Sequence, residues 1–426
     1  MYLASNGRAA VRHCPATQVP EAKYRASGHD ASRQREFPVR LSERECGHSI
    51  QPDTPTARDA DALPPGVPTR ISLVAPGFPP QLGGVEVVVG HLADELRGHG
   101  HEVTVYTQRP RGSSFPTLHD YPVRRFADWI GSRQFPVAPG LARALWRDRG
   151  LFDVIHAHNF HAVPAMMAAT VPKVPLVFTP HFHAVGNTRA ASALHTVYDP
   201  LATLLFRRAD KVTCVSVAES ELLLRCYPSV EPRLSIIPLG VDTEALLAAE
   251  PFETDRPIVL VAGRLEAYKR VDTAIRAFAA MRKDAQLVVC GTGSHRRALE
   301  RLARELRIST RVSFRGPVSD GELRRWQRTA TSTLSLSARE AFGLVLLEAA
   351  AAGSRVVASD IPAHAELANR VGGVDARMAL VTPDVAAVAA ALDHQVEMGR
   401  LATLSDRSFS WSTMARRFEA IYRSVS

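Results

Sequence analysis

From Arg70 onward, short runs of Val, Ile and Leu alternate with stretches whose apolar positions recur at helical spacing. Arg70-Ile71-Ser72-Leu73-Val74-Ala75 has the make-up of a strand, residues 85–99 that of a helix, and Glu102-Val103-Thr104-Val105-Tyr106 that of the next strand. The alternation continues through Val154-Ile155-His156, Leu176-Val177-Phe178-Thr179, Val212-Thr213-Cys214-Val215 and Leu234-Ser235-Ile236-Ile237-Pro238. A second series starts at Ile258-Val259-Leu260-Val261-Ala262 and runs through Gln286-Leu287-Val288-Val289-Cys290, Val312-Ser313-Phe314 and Arg355-Val356-Val357-Ala358. Strands separated by helices pair in parallel through crossovers, so the pattern predicts an α/β protein with two parallel sheets, joined by the Ala- and Pro-containing segment 245–257. Sheets of this type bind ligands beyond their strand C-termini, and two that meet leave a crevice there. A last apolar stripe at Trp411, Met414, Phe418 and Tyr422 predicts a terminal helix.

Residues 1–69 break the pattern. They contain many Arg, Ser, Asp, Pro and Ala, show no sustained period and end in Leu63-Pro64-Pro65-Gly66-Val67-Pro68, which reads as a disordered extension or as a start codon placed too early. Their eight acids argue against a transit peptide, and the first residues lack the apolar core of a secretory signal. The chain has 426 residues, 46% of them hydrophobic and 22% charged, which is room for two domains with a core each. Five scattered cysteines without a C-x-x-C spacing suggest neither a disulfide framework nor a zinc site and fit a reducing cytoplasm. No apolar run reaches the length of a membrane span. The net charge of +9 lies almost wholly in residues 251–426 and would attract phosphates. Charge alone does not make a nucleic-acid binder, because no recognisable module or interleaved aromatics accompany it.

The sharpest local feature is Ser337-Ala338-Arg339-Glu340-Ala341-Phe342-Gly343-Leu344-Val345-Leu346-Leu347-Glu348-Ala349. In one continuous helix its two acids would lie about 12 Å apart along the axis, beyond the roughly 5 to 9.5 Å of a glycosidase pair. With Glu340 on a loop and a helix opening near Phe342, one acid meets one end of an elongated ligand and the second meets the other. The helix start between them offers N–H groups to an anion. A nucleotide-diphospho-sugar has that shape and charge.

This stretch resembles the E-x7-E motif of retaining glycosyltransferases of family 4. The resemblance implies a GT-B fold of two Rossmann-like domains facing across a cleft: an acceptor domain over 70–250, a donor domain over 251–410, and a helix over 411–426 packing back on the first. Further landmarks occur in family order. Gly83 and Gly84 follow the first strand and resemble the loop over the donor diphosphate, although a tight turn explains paired glycines equally well. Gly98-His99-Gly100-His101-Glu102-Val103 resembles a structural strand entry that gives His101 no chemistry. Asp210 with Ser216, and Pro238-Leu239-Gly240-Val241-Asp242, match fold markers.

Gly263-Arg264-Leu265-Glu266-Ala267-Tyr268-Lys269-Arg270 puts two cations beyond a strand end, where they can neutralise a departing diphosphate. It resembles the family's phosphate-binding pattern, with Arg264 and Lys269 as the pair and Arg270 where glycine is common. Cys290-Gly291-Thr292-Gly293-Ser294 lacks the third glycine of a dinucleotide fingerprint; Gly293 and, after Arg315-Gly316-Pro317, Val318 resemble turns beside the nucleotide. Alternate residues of the extended segment around His156 and His158 are expected on opposite sides, leaving one, His158, for the crevice. His181 is preferred over His183 as the histidine beside the transferred sugar, and His161 and His195 read as ordinary side chains.

The resemblance thus implies a cytoplasmic, metal-independent, retaining hexosyltransferase without a cofactor. Its donor is a UDP- or GDP-linked sugar and its acceptor a hydroxyl on a glycan, lipid or small metabolite. Arg264 and Lys269 would hold the diphosphate with amides near Gly84, Gly343 and Leu344; Glu340 would take the sugar hydroxyls, Glu348 the ribose, and His181 the reacting carbon. The alternative is a nucleotide-sugar-binding protein without transfer. Peripheral contact with an anionic membrane, on the inner face of the plasma membrane, is left open by Leu141-Ala142-Arg143-Ala144-Leu145-Trp146-Arg147, for which packing against the first sheet is preferred.

Overall fold

The computed structural model describes residues 68–80, 83–109, 119–129, 137–160, 162–182, 200–372, 377–404 and 407–426. The expected extension, apart from its last two residues, and His161, His183 and His195 lie outside them. Among the described residues, β1 (Arg70–Ala75), β2 (Glu102–Arg109), β3 (Val123–Ala127), β4 (Val154–His158), β5 (Leu176–Thr179), β6 (Lys211–Cys214) and β7 (Leu234–Ile236) form one sheet in the order β3-β2-β1-β4-β5-β6-β7. A second sheet holds β8 (Ile258–Ala262), β9 (Gln286–Cys290), β10 (Val312–Gly316), β11 (Ser332–Ser335), β12 (Arg355–Ser359) and β13 (Met378–Val381) in the order β10-β9-β8-β11-β12-β13. Every pairing is parallel.

The crossovers include α1 (Gly84–Gly98), α2 (Pro139–Asp148), α3 (Val163–Ala169), α4 (Val217–Cys226), α5 (Thr243–Ala248), α6 (Val271–Ala280), α7 (Arg296–Glu305), α8 (Asp320–Thr329), α9 (Leu344–Ala351), α10 (Pro362–Arg370) and α11 (Val385–Met398). Three strands were not anticipated. β3 is charged and only half-buried, β13 is a short edge, and β11 is a polar Ser-Thr-Leu-Ser segment at the centre of the second sheet. Within β11 the Thr333 hydroxyl is satisfied, with Oγ1 2.9 Å from Ser354 Oγ, whereas the Ser332 hydroxyl is buried without a hydrogen-bond partner.

The last helix, α12 (Trp411–Val425), crosses back to the first lobe. Ser410 caps it by accepting the Thr413 N–H at 3.0 Å. Its stripe of Trp411, Met414, Ala415, Phe418 and Tyr422 is buried in one apolar cluster with Leu73, Leu92 and Leu96 of the first lobe and Phe342, Leu346 and Leu367 of the second. Trp411 stacks on His91, and Glu419 bonds His99 Nδ1 at 2.5 Å. Gly240 lies so close to this return that a Cβ there would overlap the Trp411 backbone.

Candidate active site

Strand order reverses between β1 and β4 in the first sheet and between β8 and β11 in the second. At such a reversal the flanking crossovers leave in opposite directions and open a crevice beyond the strand ends. The expected site residues fall beyond strand C-termini: Gly83 and Gly84 after β1, His158 at the end of β4, His181 after β5, Arg264 and Lys269 after β8. Gly293 follows β9, Val318 follows β10, and Glu340, Gly343 and Leu344 follow β11, with Glu348 on α9. A pocket at the ends of β8 and β11 is lined by Gly263, Arg264, Lys269, Leu334 and Ser335.

The Lys269 ammonium is ion-paired with Glu340, whose Oε1 also accepts the Ser337 hydroxyl at 2.9 Å. Burial pushes the Glu340 carboxyl up, but the charge and hydrogen bond of Lys269 outweigh it and leave the group below its ordinary value. Arg264 is exposed and donates to the Tyr268 hydroxyl at 2.8 Å. The charged ends of Arg264, Lys269 and Arg339 lie 5.8, 5.5 and 5.1 Å from the Tyr268 ring centre, so one aromatic ring gathers three cations. Glu86 of α1 faces Arg264 from the other lobe; burial pushes its carboxyl up, against the pull of its own N–H and of Arg264. Its carboxylate lies where a Cβ on Gly83 would fall, a clash that a turn of the flexible Glu86 side chain would relieve, and Gly84 is exposed with open space around it.

Helix α9 opens at Leu344, two residues after Phe342, with Gly343 at its N-cap at φ +94°, where a side chain would be strained. Gly343 packs on His364, whose Nδ1 donates to the Ser359 carbonyl at 2.9 Å and whose Nε2 is buried without a hydrogen-bond partner. Glu348 accepts the Gln327 side-chain amide at 2.7 Å, and burial pushes its carboxyl up to about 7. Gly293 is required by packing, since a Cβ there would overlap the Leu265 backbone. Val318 is half-buried against the cluster around Trp326. Arg270, in the place where glycine was expected, sits in the left-handed region at φ +50°.

The histidine expectation is corrected. Positions two apart in a strand share a face, and the rings of His156 and His158 lie on one side with centres 4.0 Å apart. His156 bonds Tyr422 of α12 through Nδ1 at 2.7 Å and Thr179 through Nε2 at 2.8 Å. His158 is fully buried, with Nδ1 3.4 Å from His181 Nε2, so it meets the site through His181. Burial holds both strand histidines neutral, His156 down to about 3. His181 itself has φ +47°, a constrained conformation at a strand end. On α2, Leu141, Ala144 and Leu145 are buried in the core, and Arg143, Trp146 and Arg147 face outward. No described helix is long and apolar enough to cross a membrane.

Sequence reasoning missed Glu86, Gln327 and His364, which reach the site from elements far apart in the chain, and Tyr268, which stands directly before Lys269. Ser337 adjoined a residue already singled out and could have been found from its place three residues before Glu340.

Two Rossmann-like lobes with paired cations and a carboxylate–glycine–carboxylate segment at their switch points define a glycosyltransferase of the GT-B fold. Residues 82–245 match the model for Glycosyltransferase Family 4 and residues 242–403 that for Glycosyl transferases group 1, and the chain belongs to this family. It is 28% identical over 382 residues to a D-inositol 3-phosphate glycosyltransferase of Xylanimonas cellulosilytica, covering 80% of this chain and 91% of that one. It is 29% identical over 394 residues to a glycogen synthase of Mycobacterium tuberculosis, covering 83% and 94%. Among solved structures, a sucrose-phosphate synthase from Thermosynechococcus elongatus shares the fold with a TM-score of 0.67 at 21% identity, covering 84% of this chain and 98% of that one. Anabaena HepE in complex with UDP-glucose does so with a TM-score of 0.62 at 20% identity, covering 84% and 95%.

Proposed function

We propose that this glycosyltransferase transfers a hexose, with retention and without a metal ion, from a nucleotide-diphospho-sugar to an acceptor hydroxyl. The observation that carries the reading is the placement of Arg264 and Lys269 at the end of β8 beside Glu340 at the end of β11. Two cations there supply the charge that a divalent ion would otherwise bring to a leaving diphosphate. Support for a nucleotide-sugar donor comes from HepE, whose structure is a complex with UDP-glucose.

In this reading Lys269 and Glu340 part when the donor arrives. Lys269 joins Arg264 on the diphosphate, and Glu340 turns to the sugar hydroxyls. The bond between the anomeric carbon and the diphosphate breaks as the acceptor oxygen bonds to the same face, and the departing phosphate oxygen takes the acceptor's proton. His181, a neighbour of the buried and neutral His158, steers that hydroxyl. Glu348 binds the ribose at the far end. A cytoplasmic location fits the free thiols of the buried Cys214 and Cys290.

The test is release of nucleoside diphosphate from UDP- and GDP-sugars, with and without cell lipid and sugar acceptors. Arg264→Ala or Lys269→Ala should cut turnover about 100-fold, the cost of one lost contact to the developing charge, with a smaller change in donor affinity. Near-normal turnover in both would remove their assigned role. Binding without any turnover in the wild type would favour a nucleotide-sugar-binding protein.

A further inference from the structure

The two halves of the site are joined at the first turn of α4. Ser216, buried at the N-cap of that helix, accepts the Glu219 N–H at 2.9 Å and donates its hydroxyl to the carbonyl of Ala341 at 2.6 Å. Ala341 is the residue after Glu340. Ser216 and Glu219 have the spacing of a capping box, whose glutamate ordinarily turns back to the N-cap N–H. Here the buried Glu219 carboxylate instead accepts the N–H of Val215 at 2.6 Å and that of Phe182, the residue after His181. On the other side of the helix start, Glu366 of α10 accepts the N–H groups of Val217 at 3.1 Å and Ala218 at 2.9 Å, and it is paired with Arg370 at 2.6 Å. The first three N–H groups of α4 are thereby satisfied, two of them by a carboxylate from the opposite lobe.

A continuous path therefore runs from His181 through Phe182, Glu219, Ser216 and Ala341 to Glu340. Its hydrogen bonds are largely shielded from water, so water does not readily replace one that is lost. We infer that Ser216 is a positioning residue for transfer: its hydroxyl sets His181 on the acceptor lobe in register with Glu340 on the donor loop, while Glu366 holds the same helix against the second lobe. The inference rests on the transfer reading above, and it assigns a task to a residue otherwise only a marker of the fold.

A helix cap that serves stability alone would act differently from a link between lobes, and substitutions at residue 216 separate the two. Ser216→Asp caps as well as serine does but has no hydroxyl proton to give Ala341. A buried charge facing the Ala341 carbonyl and the Glu219 and Glu366 carboxyls should lower its melting temperature, but in the folded enzyme, assayed well below that temperature, UDP affinity should hold while kcat falls tenfold to a hundredfold, the order expected for a misplacement of about 1 Å. Ser216→Thr, which keeps both functions of the hydroxyl, should restore kcat. Glu366→Ala keeps the Ser216 cap of the Glu219 N–H but leaves those of Val217 and Ala218 without their partner, and it should lower kcat in the same direction even if the aspartate variant folds poorly. Wild-type kcat in both Ser216→Asp and Glu366→Ala overturns the inference. Should the wild type show no turnover, the transfer reading fails by itself, and small-angle scattering still reads the link. A larger radius of gyration in Ser216→Asp than in wild type supports it, and equal radii overturn it.

Discussion

Glu348 offers the most exacting test of the site because its two expected roles pull in opposite directions. Burial pushes its carboxyl from an ordinary 4.5 up to about 7, against the hydrogen bond of Gln327 and the charge of Arg324. The unfolded chain ionises this group near 4.5, while the folded chain keeps its proton until about 7. Its favourable share of stability is thus complete below the lower value and is lost as pH rises through the upper one. The interval corresponds to about 3 kcal/mol. Glu348→Gln removes that cost and keeps an oxygen for the Gln327 amide, so above pH 7 the variant should be more stable than wild type by up to about 3 kcal/mol, several degrees in Tm. Below pH 4.5 the two should melt alike. Donor binding should move the other way, because ribose hydroxyls donate more strongly to a carboxylate than to an amide. The ionised fraction of Glu348 climbs from about 0.1 at pH 6 to about 0.9 at pH 8. Wild type should therefore bind UDP-glucose, whose phosphates do not titrate in that range, up to about tenfold more tightly at pH 8 than at pH 6. The variant should bind it weakly and without that slope. Calorimetric melts from pH 4 to 8.5 and titration calorimetry at pH 6, 7 and 8 measure both. A variant less stable than wild type at pH 8, or one with an unchanged pH slope of affinity, refutes the reasoning.

Two further outcomes follow from the structure. Arg270→Gly should raise the unfolding free energy by about 1 kcal/mol, read as a higher urea midpoint, the strain of a left-handed residue with a side chain, since Arg270 has φ +50°; a lower midpoint would show that its side chain contributes more than its backbone costs. At the terminal helix, burial pushes the Glu419 carboxyl up, but hydrogen bonds from His101 and His99 outweigh it and hold the group at about 2. Its stabilisation is present above about 4.5 and lost as pH falls toward 2, so Glu419→Gln should cost about 1.5 to 3 kcal/mol at pH 7 and flatten the acid limb of a plot of Tm against pH. An unchanged acid limb would show that this carboxylate does not tether α12.

Much of the fold was legible because buried parallel strands carry uninterrupted Val, Ile and Leu. Arg70–Ala75, Leu176–Thr179, Ile258–Ala262 and Gln286–Cys290 have the ends expected of them. β11 was not, since Ser332 and Thr333 lack a strand-like apolar run, yet this strand delivers Glu340 to the cleft. The acids of the E-x7-E segment and the cations after β8 could be read because each lies within a few residues of a strand end or helix start. The partners they meet from elsewhere could not: Gln327, His364 and Glu86 come to them by packing between elements. Glu219 shows the limit well. Its spacing from Ser216 marks a helix start in any sequence, but only the placement of β5 beside β6 brings Phe182 within its reach. The histidine pair failed for a simpler reason, a period of two applied with the wrong parity.

The return of α12 to the first lobe means that the polypeptide passes between the lobes twice, once near residues 243–257 and again near 399–410. Two tethers forbid the free swivelling that a lone linker permits and leave bending about the line through both crossings as the easy motion. Severing the backbone at the earlier crossing would not release a self-sufficient front half. That fragment would lack the ring of Tyr422 over His156, and it should need a peptide spanning residues 411–425, supplied separately, to recover its fold.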